Sequence, residues 1–370
     1  MRSAWPVAAA VVLSLFGADA VRAQEIKAEA KSFKSIDGVK LEGQFYKSPK
    51  GKDVPTVLLV HGFQQKPDDA AWDDTAKTLA ANYNVFRFDF RGHGKSTDID
   101  PTEFWLDKYP NKQYVRIQPP LTTVTKNTIK FGDFLPSYYP VLVQDLAAAR
   151  HELDRMNDAG LINSSMIYIL ASGDMTYLTL FFIATEWQRE KKKPGEILLH
   201  PRYHFVSPNR PLTEGYDPAG QDYAGCVFLG PNRLPATGTA FSNQDMKNII
   251  YNAKTQSVKL RTETPMLFLY GSKNARDPAF TTGVLNEVLM VNAKVAPGGV
   301  AIAKPDLVFS VKIETALTGV KLLGNALGTE AHLEKFIKDI STTERKAKTW
   351  TVREWDKPML IDVRAYGALK

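Results

Sequence analysis

"MIYILASGDMTYLTLFF", Met166 to Phe182, changes periodicity in the middle, and that change points to an architecture. Met166 to Ala171 is a short apolar run, the length and composition of a buried strand. From Thr176 onward, "TYLTLFFIATEWQREKKK" is long enough for a helix and strongly apolar on one side. Ser172, Gly173, Asp174 and Met175 lie between the two. A strand that becomes a helix over so few residues must bend sharply, and glycine enters the positive-φ region such a bend requires without steric cost.

The flanking sequence repeats this strand-then-helix rhythm. Upstream, "VPTVLLVHGF" is a continuous apolar run ending in a glycine turn, as expected of a strand buried on both faces. "WDDTAKTLAANY" is an amphipathic helix, "NVFRFDFRGHGKST" the next strand and its turn, and "YYPVLVQDLAAARHELDRMNDAG" a long helix. Downstream, "YAGCVFLGP", "TPMLFLYGS" and "DLVFSVKIE" read as strands and "TEAHLEKFIKDI" as the closing helix. "FKSIDGVKLEGQFYKSP" alternates around Asp37-Gly38, a two-residue hairpin signal. The pattern predicts an α/β fold, a mostly parallel central sheet flanked by helices, with an N-terminal hairpin.

Residues 24–35 are polar and are expected to be a leader, with a single domain over 36–345 and a C-terminal extension over 346–370. Residues 98–137 and 194–223 fit the rhythm poorly and are expected to be insertions, the kind of long loop that often carries binding residues.

Composition narrows the class further. The chain has 370 residues, 44% hydrophobic and 24% charged, enough for a substantial core. "MRSAWPVAAAVVLSLFGADAVRAQ" has a basic start at Arg2, an apolar run from Val7 to Phe16 and the small residue Ala23, the pattern of a cleaved signal peptide over 1–23. The expected mature form is exported, periplasmic or secreted, and not membrane-spanning. The single cysteine, Cys226, cannot form an intramolecular disulfide and sits in an apolar strand, as expected for an inert thiol. The net charge is +7, but the lysines are scattered and the run "REKKKPG" sits at a helix end, so a nucleic-acid partner is not expected. No metal is expected, because the histidines are dispersed and Pro201 interrupts the pair His200 and His204. No cofactor is expected either, since neither a phosphate loop nor a dinucleotide fingerprint occurs.

The ordered motifs "LLVHGF", "FDFRGHGKS", "IYILASGDMTYLTL", "MLFLYGSKN" and "TEAHLEKFI" resemble the α/β-hydrolase superfamily over nearly the whole chain beyond the signal peptide. The resemblance implies a nucleophile elbow at the opening stretch, with a Ser-His-Asp triad of the serine esterase and lipase kind. Aligning "IYIL" with the elbow's strand puts Ala171 and Met175 at the two small positions and Gly173 at the nucleophile. A shift of one residue makes Ser172 the alternative nucleophile, flanked by Leu170 and Asp174, neither of them small. The resemblance places the oxyanion or ligand-contacting positions at Phe63, Gln64 and Asp174, and assigns His61, Arg91 and His93 to bracing loops.

The acid position falls on Asn274, with Asp277 as the alternative, and the base position on His332. His332 fits equally well as an ordinary first-turn residue of the closing helix, capped by Thr329. A triad acts as a unit, so an elbow without a hydroxyl and an acid position holding an amide imply lost or impaired catalysis. Three functions remain open on these residues. One is a pseudoenzyme binding a small-molecule or acyl ligand or a partner. Another is an active esterase-like hydrolase using Ser172, His332 and Asp277. The third is an interaction module with a cell-envelope partner, using the basic surface and the aromatic insertion 98–137.

Overall fold

A computed structural model describes residues 26–63, 70–116, 126–192, 204–233, 241–292, 307–324, 326–343, 350–354 and 356–369. The expected signal peptide, Gln64 and His200 lie outside the described residues.

The strands are β1 (Ala28–Lys34), β2 (Lys40–Tyr46), β3 (Thr56–Val60), β4 (Asn84–Phe88), β5 (Ile167–Ser172), β6 (Phe205–Val206), β7 (Tyr223–Leu229), β8 (Met266–Gly271), β9 (Val308–Ile313) and β10 (Leu360–Ile361). The helices are α1 (Ala70–Ala80), α2 (Pro101–Phe104), α3 (Asn111–Tyr114), α4 (Val143–Asp158), α5 (Thr176–Glu186), α6 (Asn243–Ile250), α7 (Lys259–Glu263), α8 (Asp277–Gly283) and α9 (Thr329–Thr343).

Eight strands form one sheet in the order β1-β2-β4-β3-β5-β7-β8-β9. β2 runs antiparallel to both β1 and β4, and every pairing from β4 to β9 is parallel. β3, β5, β7 and β8 are buried along their whole length, which explains their unbroken apolar sequences. Side chains alternate across the sheet, so β5 feeds two cores. Ile167, Ile169 and Ala171 pack with α4 and α5, while Tyr168 and Leu170 pack with α1 and α9.

Four departures from the sequence expectations follow from long-range contacts. Residues 28–34, expected in the leader, form β1, because its Phe33 packs on Phe86 and Phe88 of β4. The hairpin forms, but its loop is Ser35–Val39 rather than a two-residue turn, closed by the Ser35 N–H donating to Val39 O. Asp37 is drawn inward there to the fully buried Arg91, whose guanidinium also reaches Asp145 on α4.

The described part of the segment expected as an extension belongs to the body. β10 pairs with β6, Gln144 of α4 bonds both the N–H and the carbonyl of Ile361, and Met359, Ile361, Val363 and Tyr366 join the core. This second layer accounts for α4 being buried on nearly all sides. The described part of the 98–137 insertion is also packed rather than loose, with Phe104, Trp105, Val115, Ile129 and Phe134 in the core. No described helix is long and apolar enough to cross a membrane.

Candidate functional site

β5 ends in extended backbone at Ser172, with φ −105° and ψ 135°. The next residue, Gly173, has φ +60° and opens the turn Gly173–Met175 that leads into α5. The turn is closed at the Gly173 carbonyl, which accepts from Thr176 Oγ1 at 2.8 Å and from the Asn232 N–H at 3.2 Å. Among the described residues, a Cβ added at Gly173 would find only the Asn232 side chain within 4 Å, its Nδ2 being nearest at 3.5 Å. That is ordinary contact, so backbone conformation rather than lack of room is what favours glycine here. Met175 is fully buried in the core on the α4 side of the sheet.

Ser172 points to the other side of the sheet. Its side chain is fully buried, and its Oγ accepts the Val320 N–H at 3.1 Å in the loop between β9 and α9. The hydroxyl therefore helps to tie two carboxyl-end loops together.

A hydrogen bond joins the loop after β3 to the elbow. The Phe63 N–H donates to Asp174 Oδ1 at 2.8 Å. Tyr139 fixes the same residue from behind, its hydroxyl donating to the Asp174 carbonyl. His93 Nε2 lies 2.7 Å from Phe63 O and its Nδ1 3.0 Å from Arg91 O, bracing the β3 and β4 loops against each other. His61 accepts the Phe90 N–H at Nε2, and Nδ1 lies 2.9 Å from Gly62 O. Burial, helped by neighbouring His93, lowers the His61 pKa to about 3, which keeps the ring neutral.

Further along the carboxyl edge, Asn274 serves the local backbone. Its Oδ1 accepts the N–H groups of Arg276 and Asp277, and its Nδ2 donates to Ala316 O. Asp277 is only 1% exposed, and its Oδ2 has no hydrogen-bond partner among the described residues. Burial pushes this carboxyl above its ordinary range, and the Thr318 hydroxyl pulls the other way. It is pressed against Gly230 at the end of β7. A Cβ there would lie 2.9 Å from Asp277 Oδ2, 2.4 Å from Thr318 Oγ1 and 2.3 Å from the Gly319 nitrogen. His332 sits in the first turn of α9, exposed and without a hydrogen-bond partner among the described residues.

The structure thus gathers Phe63, Asp174 and Gly173, sets Ser172 against Val320 and Asp277 against Thr318, and joins His332 to neither pair. Asn232, Tyr139, Thr318 and Gly230 are the residues that sequence reasoning missed. The only local signal was "LGPN" at Leu229–Asn232, a Gly-Pro-Asn turn closing a buried strand, where the carboxyl-end crevice of an open α/β sheet begins. Among the described residues, no group of three or more His, Cys, Asp or Glu could hold a metal ion.

The strand order, the antiparallel second strand and the left-handed turn between β5 and α5 define the α/β-hydrolase fold. Neither a protein-family model nor a curated protein sequence matches the chain. Several solved structures are similar. An esterase from Pyrococcus furiosus is 13% identical with TM-score 0.45, over 85% of this chain and 90% of that one. A fungal esterase from Rhizomucor miehei is 11% identical with TM-score 0.48, over 88% and 86%. A dienelactone hydrolase from Anabaena variabilis is 12% identical with TM-score 0.45, over 87% and 100%.

Proposed function

We propose that the chain is an exported α/β-hydrolase-fold protein whose serine chemistry is lost or impaired, and that it acts by binding a ligand or partner at the old elbow. The observation that carries this reading is the bond from the Phe63 N–H to Asp174 Oδ1. An acyl-transfer site needs that donor free for the negative oxygen of its tetrahedral intermediate. Here a carboxylate already holds it, beside a turn residue that has no hydroxyl. Export rests on the pattern of residues 1–23.

A second reading, an esterase-like hydrolase using Ser172, His332 and Asp277, draws on one observation. A buried carboxyl does persist at the carboxyl end of β8. Treating the purified protein with an activated ester and a serine-reactive phosphonate separates the two. Stoichiometric phosphonate labelling of Ser172 rejects the binding reading. Silence in both assays, unchanged by Ser172→Ala, rejects the hydrolase. Locating the processed chain by fractionation tests export, and retention in the cytoplasm refutes it.

A further inference from the structure

We propose a second binding site, beyond the C-terminal end of α5, that takes a small monocarboxylate on the guanidinium of Arg210. A cavity of about 250 Å³ opens there, with Gln188, Glu190, Phe205, Ser207, Asn209 and Arg210 among its lining residues. Gln188 lies just past α5, whose opposite end carries the elbow about 16 Å away along the helix axis. The two sites share no residue.

The backbone of Arg210 is fixed, which is the first argument. Ser207, Pro208 and Asn209 lead through a turn closed by the Arg210 N–H, which donates to Ser207 O at 3.0 Å. The Arg210 carbonyl accepts from Gln188 Nε2, and Gln188 Oε1 in turn accepts the Gln256 N–H at 3.1 Å. The turn is also tied to the body of the protein. Ser207 Oγ donates to Asp362 Oδ2 at 3.2 Å, and β6 immediately before it pairs with β10.

On this fixed backbone sits a guanidinium without a carboxylate. It lies over the Phe205 ring, 5.8 Å from the centroid, and forms no ion pair or side-chain hydrogen bond with a described residue. Arg91, Arg150 and Arg189, by contrast, each sit on an acidic side chain. Stacking on the ring uses the guanidinium's face and leaves its N–H edge. That edge is a planar fork of donors, which matches the two oxygens of a carboxylate.

Charge and size narrow the ligand. Arg189 also lines the cavity but is held by Glu186, and Glu190 adds a negative group whose Oε1 accepts the Thr213 N–H at 2.7 Å. A single carboxylate is matched by Arg210 alone, whereas a dianion meets the like charge of Glu190 while Arg189 is already engaged. Phe205, Val206 and Pro211 supply an apolar wall. The volume is below that of drug-sized pockets, so the ligand's body is about one ring. Asn209, exposed on the same turn, offers a side-chain amide that no described residue engages.

Calorimetric titration of the purified protein with benzoate, benzamide and phenylphosphonate tests the inference, at mildly alkaline pH where the phosphonate is a dianion. Benzoate should bind saturably, about tenfold or more tightly than either comparator. Arg210→Gln should weaken benzoate by about tenfold or more, because a charge-assisted pair is lost. Arg210→Lys keeps the charge without the fork and should weaken it by about two- to fivefold.

The inference is overturned if benzoate does not saturate, if benzamide or phenylphosphonate binds at least as tightly, or if Arg210→Gln leaves the affinity unchanged. An Arg210→Lys variant equal to wild type overturns the choice of a carboxylate, since a point charge then suffices. The comparison of the three ligands uses the unaltered protein, so it decides the matter whatever the variants do to folding. The ester assays bear on the elbow alone.

Discussion

Replacing Ser172 with alanine separates a structural hydroxyl from a nucleophilic one. Ser172 is fully buried, and its Oγ accepts from the Val320 N–H at 3.1 Å, with Val320 itself only 1% exposed. Alanine leaves that backbone N–H in a place water does not reach. A buried donor stripped of its partner costs about 1–3 kcal/mol, and losing a single oxygen from a serine opens little cavity to add to it. Because Ser172 ends β5 and Val320 lies between β9 and α9, the loss should fall on the joining of two loops rather than on a single element. Urea unfolding followed by tryptophan fluorescence should therefore show a lower midpoint at unchanged slope, with a melting temperature down by about 2–6 °C. Ester turnover should be the same, at background, before and after the change. A variant as stable as wild type that abolishes phosphonate labelling or measurable turnover would refute the assignment and make Ser172 a nucleophile.

Gly173→Ser should fold, because the added Cβ meets its nearest atom at 3.5 Å, but the φ of +60° should cost about 1–2 kcal/mol in urea unfolding. It should not hydrolyse an activated ester, since no imidazole among the described residues is bonded to the turn to take the proton; turnover would show that a base reaches the turn. Arg91→Met leaves Asp37 and Asp145 as uncompensated buried carboxylates and should cost about 3–5 kcal/mol, so a loss under about 1 kcal/mol contradicts the role given to this pair. Acid should weaken the fold through His61, whose folded pKa of about 3 lies below its ordinary 6.5. The unfolded chain takes up a proton below about pH 6.5 that the folded ring refuses until about pH 3, so this contribution is complete above that window and drains away as pH falls through it. Unfolding at about pH 7 and about pH 4 should differ less in His61→Gln than in wild type, and an equal difference excludes His61 as a contributor.

Runs of apolar residues and their end chemistry are local properties, so the strands at 56–60, 167–172, 223–229 and 266–271 and the helices after the first two were legible in the sequence. The turn at Gly173 was legible too, because a strand meeting a helix demands a left-handed residue there. Less legible was β1, whose polar sequence gave no sign of the partners that make it a strand. The His332 assignment rested on a motif of low specificity, and periodicity alone does not say which way the first turn of a helix faces.

The sequence by itself determined the order of the buried central strands and of α1, α4, α5 and α9, the bend at Gly173, and the absence of a hydroxyl on that residue. The tertiary structure alone decided what surrounds the bend. Phe63 and Asp174 meet across 111 positions, Ser172 and Val320 across 148, and Gln144 and Ile361 across 217. Such pairings depend on how the sheet stacks its carboxyl ends, where loops far apart in the chain are brought within hydrogen-bond reach. No local pattern encodes that a carboxylate from one loop will take the donor of another.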